Sequence, residues 1–203
     1  MASLLHYREP GRPDEIGPAR LPERGATFQR LLQRARAQGL GDAELVARVG
    51  LLDAAGVHFE DNAFGLAVLD GRNPFGIEDT ASMEQYMSVL FHERSARPPL
   101  PWPGAIAFVR HRRNEAAFEQ AVLDRIGRGD ERFLPGDEAG HIRQPALLLW
   151  CRQDAVIDPS ALDLYAARIP QARRVLLDGC GHMSLMERPH AVAEAVVEWM
   201  HAQ

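Results

Sequence analysis

Lysine is missing from all 203 residues; every one of the 23 basic side chains is arginine. That excludes a P-loop lysine, a Schiff-base lysine and a lysine that would hold pyridoxal phosphate. Cysteine is nearly as scarce. The two present, Cys151 and Cys180, are too few for a four-thiolate zinc site or a disulfide framework. Residues 1–13 show no apolar h-region, so no secretory signal is expected. Both cysteines are therefore expected as reduced thiols in a cytoplasmic protein. No apolar run approaches the roughly 20 residues that cross a bilayer. Positive charge is not in excess: the formal net charge is -5 and the pI about 5.9. A nucleic-acid partner, which needs a basic stripe, is excluded on that ground. There is no internal repeat and no low-complexity tract. His92-Glu93 is not a zinc-binding helix motif, because Ala96 stands where the second histidine is needed.

What is present is ordinary globular composition, 46% hydrophobic and 25% charged, enough for one buried core. Residues 7–25, dense in Pro and Gly, read as an irregular leader. Phe28, Leu31, Leu32 and Ala35 follow helical spacing, which predicts a helix over 26–38 that ends at Gly39 and Gly41. Asp42 can cap a short helix reaching Val46. The apolar run 48–53 predicts a strand buried on both faces. From 58 to 140 the pattern is helical: a short helix at 62–70, one at 80–91 capped by Thr80 or Ser82, and a long one at 103–127. The rhythm then changes. A strand at 145–151, a helix from Asp158 to Ile169, a strand at 173–178 and a final helix opening on Pro189 alternate with short links. That alternation is the mark of an α/β fold with a parallel sheet.

In open parallel sheets, reactive groups gather beyond the carboxyl ends of the strands. Two turns qualify, Arg152-Gln-Asp154 and Gly179-Cys-Gly-His182. An acid and an imidazole on neighbouring turns can meet. The carboxylate fixes the tautomer and stabilises the imidazolium, and the other ring nitrogen is then a general base for a hydroxyl nucleophile. The glycines beside His182 permit the tight turn that projects it. Cys180 reads as a small buried filler. Gly179-x-Gly181 as a dinucleotide fingerprint is weak, since Ser184 holds the third glycine's place and only 21 residues follow His182. The Arg110-His-Arg-Arg113 cluster reads as a solvated helix face.

Residues 142–159 (Ile-Arg-Gln-Pro-Ala-Leu-Leu-Leu-Trp-Cys-Arg-Gln-Asp-Ala-Val-Ile-Asp-Pro) resemble the penultimate strand and acid turn of α/β-hydrolases. Residues 169–189, with Asp-Gly-Cys-Gly-His-Met-Ser-Leu-Met-Glu-Arg-Pro at their end, resemble the last strand, histidine turn and final helix. The likeness covers about residues 44–200, and the 58–140 stretch with Asn73-Pro-Phe75 is similar to the helical lid of lipase- and esterase-like bacterial members. It implies a partial α/β-hydrolase fold, about three parallel strands with a helical lid insertion. In that reading 1–41 is a leader and amphipathic helix, 42–57 and 141–203 are core, and 58–140 is lid. It also implies Asp154 and His182 as the acid and base of a Ser-His-Asp triad, no cofactor and no metal. The substrate would be a small apolar ester, with Phe75, Met83, Met87, Trp102 and Met183 shaping its pocket.

One part of the family pattern is not in this sequence. The nucleophile's Gly-x-Ser-x-Gly elbow lies upstream of the 48–53 strand in the family. None of Ser3, Ser82, Ser88, Ser95, Ser160 and Ser184 has that glycine pattern. The chain therefore reads as the C-terminal part of an ester hydrolase, inactive alone. The alternative is a non-catalytic ligand-binding or interaction module. The strand at 48–53 is then an open sheet edge, expected to take a partner chain or a second copy.

Overall fold

The structure, a computed structural model, describes residues 46–202. The leader, the 26–38 helix and most of the short helix after Asp42 lie outside the described residues. Three strands, β1 (Val49–Leu52), β2 (Ala146–Cys151) and β3 (Arg173–Leu177), make one parallel sheet in the order β1-β2-β3. Leu52 lies opposite Leu149, and Cys151 opposite Leu177, so the three carboxyl ends come out side by side.

β2 is central, and all six of its residues are buried. Its alternation splits the core in two. Ala146, Leu148 and Trp150 face the larger cluster with Phe64, Met87, Leu90, Ile157, Leu162 and Tyr165. Leu147 and Leu149 face Val192 and Ala195 of the last helix, with Leu52 and Leu177 packed alongside. Helices thus cover both faces, which is why β2 reads as a continuous apolar run rather than an alternating one. β1 departs from expectation: Leu51 and Leu52 are only half-buried and Gly50 is exposed. Among the described residues β1 pairs with β2 alone, so one of its edges is uncovered.

Between β1 and β2 run α1 (Ala63–Leu69), α2 (Thr80–Leu90), a 3-10 turn at Arg94–Ala96, α3 (Gly104–Val122), a π turn at Leu123–Gly127, and α4 (Leu134–Ala139). Asn62 caps α1 by accepting the Gly65 N–H. At α2 the cap is Asp79, not Thr80 or Ser82. Its side chain accepts from the Ser82 N–H, while the Ser82 hydroxyl accepts from the Asp79 N–H, a reciprocal box that Thr80 cannot form one residue inside the helix. The long helix expected at 103–127 is regular only to Val122 and then widens into the π turn. After β2 come α5 (Ser160–Arg168), β3, a single-turn α6 (Ser184–Glu187) absent from the sequence expectation, and α7 (Pro189–His201).

Candidate active site

Asp154 sits in the turn after β2 with its side chain fully buried. Its Oδ1 accepts the backbone N–H groups of Val156 and Ile157 at 2.8 and 3.0 Å. Its Oδ2 lies 2.9 Å from Nδ1 of His182, in the turn after β3. A carboxylate held by two amide donors accepts, so Nδ1 carries the ring proton and Nε2 keeps its lone pair. The structure therefore brings the two sequence-selected residues into contact.

The histidine turn is tied down on every side. Gly179 has φ 72 and Gly181 packs so closely that a Cβ would lie 2.8 Å from the His92 nitrogen, so both positions need glycine. Gln153 Oε1 accepts from the Gly179 and Cys180 N–H groups. Buried Glu187 accepts from the Gly181 N–H with one oxygen and from the Glu93 N–H with the other, joining the turn to the segment after α2. The reduced-thiol expectation is corrected here. Cys151 and Cys180 form a disulfide, with Cα atoms 5.3 Å apart. Cys151 ends β2 and Cys180 follows the strand beside it, a proximity that a sequence separation of 29 does not reveal. Both cysteines are completely buried.

Asp53 was missed by the sequence reading. It ends β1 as Asp154 follows β2, and the strand-end rule applied to all three strands would have found it. Only 4% exposed, it has a left-handed backbone at φ 47. Its Oδ1 accepts the Cys151 N–H at 3.2 Å, and its Oδ2 accepts the Ser184 hydroxyl at 2.5 Å. Burial, first, pushes its carboxyl up to about 7; the Asp154 charge adds to this, and Ser184, His182 and the Cys151 amide oppose it.

His182 opens onto a cavity of about 90 Å³. Phe59, Phe64, Val68, Phe75, Leu123 and Ile157 supply most of its apolar wall, and Arg132 brings a guanidinium into the lining. Of the five residues expected to shape a substrate pocket, Phe75 lines this cavity and the other four do not. Met87 is core, Met183 packs against that core, Met83 is a half-buried position on α2, and Trp102 is 77% exposed. For Met83 and Met87 the helical period gave the face of the side chain but not which face the cavity took; Phe75, Trp102 and Met183 lie outside the helices, where no such period applies. No cluster of metal-ligating side chains occurs among the described residues, and none of their helices is long and apolar enough to cross a membrane.

A parallel sheet with helices on both faces, an acid after the middle strand and a histidine after the next one define a class. The sequence model of the alpha/beta hydrolase fold matches residues 64–189, and the chain belongs to that family. Among curated relatives it is similar to monoacylglycerol lipase ABHD6 of Mus musculus, 36% identical over 84 residues, which are 41% of this chain and 25% of that protein. The Homo sapiens protein of the same name is 36% identical over 59 residues, 29% of this chain and 18% of its own. The matched part thus spans about a quarter or less of the curated relatives' length. Among solved structures, a bacterial membrane phospholipase A has a TM-score of 0.72 at 22% identity, covering 91% of this chain and 66% of that one. A 2-hydroxy-6-oxo-6-phenylhexa-2,4-dienoate hydrolase from a Rhodococcus strain has a TM-score of 0.60 at 19% identity, covering 88% and 61%. These structural likenesses bear on the fold.

Proposed function

We propose that this chain carries the acid–base half of a Ser-His-Asp ester hydrolase acting on small apolar, lipid-like esters. Asp154 orients His182 and steadies its imidazolium. His182 takes the proton of a serine hydroxyl through Nε2, then returns it to the departing alcohol. The single observation that supports this most is the 2.9 Å contact between a fully buried carboxylate and an imidazole that borders an apolar cavity. The similarity to monoacylglycerol lipases supports the substrate class.

The serine itself would come from outside the residues seen here. Among the described residues, no serine hydroxyl is hydrogen-bonded to His182. Ser184 is turned to Asp53, Ser160 accepts from the Glu60 N–H, and Ser82 belongs to the α2 cap. This polypeptide alone is therefore expected to cleave p-nitrophenyl butyrate no faster than its His182→Ala variant. A rate that His182→Ala abolishes would overturn the missing-serine part of the proposal. The second reading, a non-catalytic ligand-binding module, is favoured by the apolar cavity beside His182. An apolar ester that shifts the NMR signals of His182 and Phe75 without being consumed, in a polypeptide that also carries the elbow serine, would select it. The edge of β1 that is unpaired among the described residues is where a partner strand or a second copy would add. The disulfide removes the ground on which a cytoplasmic location was expected and favours an oxidising compartment.

A further inference from the structure

We propose that Asp53 is a positioning residue for His182, its carboxyl group latching the histidine turn to the end of β1 through the hydroxyl of Ser184. The inference rests on the acid–base reading of the Asp154–His182 pair and deepens it.

Two of the ties that hold the turn flank the imidazole. Before it, Cys180 is bonded to Cys151 at the end of β2. After it, Ser184 donates to Asp53 at the end of β1. Asp53 also accepts the Cys151 N–H, so one carboxyl group joins the ends of β1 and β2 to the start of α6 beside the pair. A purely structural link would not call for a charge. Asparagine would make the same link with no charge, accepting from the Cys151 N–H through its side-chain oxygen and donating to the Ser184 oxygen through its side-chain amide; it tolerates the left-handed backbone and brings no second carboxylate beside Asp154. An ionisable group kept under burial, backbone strain and like-charge repulsion together points to a task for the charge.

Four groups face Asp53: the Ser184 hydroxyl from α6, the Cys151 amide from β2, the Asp154 carboxylate from the turn after β2, and the His182 imidazole from the turn after β3. Ionised, Asp53 accepts from both donors. Protonated on Oδ2, it must donate to the Ser184 oxygen, which reverses that hydrogen bond two residues from His182. The orientation of the imidazole and the field around it then change with the Asp53 proton.

The test is NMR of the His182 ring nitrogens, followed across neutral pH in the full chain. In the parent protein the ring signals should record an inflection near pH 7 from Asp53. Asp53→Asn should remove that inflection. Ser184→Ala should mix the two ring tautomers where the parent holds one, and Ser184→Thr should restore the parent state. A folded Asp53→Asn whose His182 curve and tautomer superimpose on the parent's would overturn the proposal. If Asp53→Asn does not fold, the Ser184→Ala and Ser184→Thr pair decides in the same way. Asp154→Asn separates the two layers of inference. If it too leaves the His182 tautomer unchanged, the acid–base pair itself fails. If it disturbs the ring while Asp53→Asn and Ser184→Ala do not, only the role of Asp53 fails.

Discussion

β2 and α3 are both marked by apolar residues, yet they end in opposite surroundings. All six residues of β2 are buried, whereas none of the 19 in α3 is. Phe118 and Ile106 on α3 are 66% and 47% exposed. The strand has partners on both edges and helices on both faces, all within the described chain. The helix packs Phe108 against Tyr86 of α2 and runs into the cavity wall at Val122, while Ile106 and Phe118 stay largely in solvent. Apolar periodicity states where a side chain points. Whether something covers it depends on the rest of the structure.

The sharpest way to break this contrast is a large truncation in β2. Trp150 is fully buried against Tyr165, with ring centroids 5.9 Å apart. Trp150→Ala should destabilise by about 3–5 kcal/mol, the transfer and cavity terms together. Urea unfolding checks it, and a loss below about 1 kcal/mol would show that the core does not rest on β2.

Asp53 gives the next largest effect, visible as pH dependence. Its proton affinity rises on folding, from 3.8 to about 7. The folded state therefore holds this proton more tightly than the unfolded state. The stability gained is complete below about pH 4 and is lost as pH rises through about 7. The loss across that window amounts to about 4 kcal/mol. Asp53→Asn should flatten this slope and be the more stable protein at alkaline pH, as urea midpoints measured across the window will show. An unchanged slope would mean that Asp53 ionises as an exposed acid does.

The disulfide ranks third. Joining Cys151 and Cys180 closes a loop of sequence separation 29. Replacing both cysteines by serine should cost about 3–4 kcal/mol, by the loop-closure argument. The loss should be felt first at the histidine turn, as faster amide exchange at Gly181 and His182 than in the middle of β2. Uniform exchange would mean that the turn does not need the cross-link.

What could be read from the sequence follows the same division. The strands, the acid turn and the histidine turn were legible because their signals are local: an apolar run, then a polar turn with glycine. Asp154 and His182 needed only the rule that strand ends gather chemistry. Asp53 obeys that rule too, but its partners Ser184 and Cys151 are remote in sequence, and a lone acid after a short apolar run is an ordinary turn residue. The disulfide was hidden for a related reason: it depends on which strands are neighbours, not on cysteine spacing. The pocket residues were least legible. Phe75, Met83, Met87, Trp102 and Met183 all read as apolar, and nothing local in the sequence says that Phe75 lines the cavity while Trp102 stands in solvent.

The smallest expected effect is the most pointed test of the comparison. Phe118 has the size and apolarity of a core residue, and helical spacing groups it with Ala121, Val122 and Ile126. If the pattern alone carried stability, Phe118→Ser would cost as much as other large-to-small changes in a core. At 66% exposed, however, the ring leaves little more water behind in the folded chain than in the unfolded one. The change should therefore fall within about 0.5 kcal/mol, as for surface substitutions in general. Serine is also only slightly poorer than phenylalanine at an exposed helical position. Urea unfolding of this polypeptide measures it directly. A loss of about 2 kcal/mol or more would mean that the outer face of α3 is covered in solution, by another segment or a second copy, and the contrast with β2 would disappear.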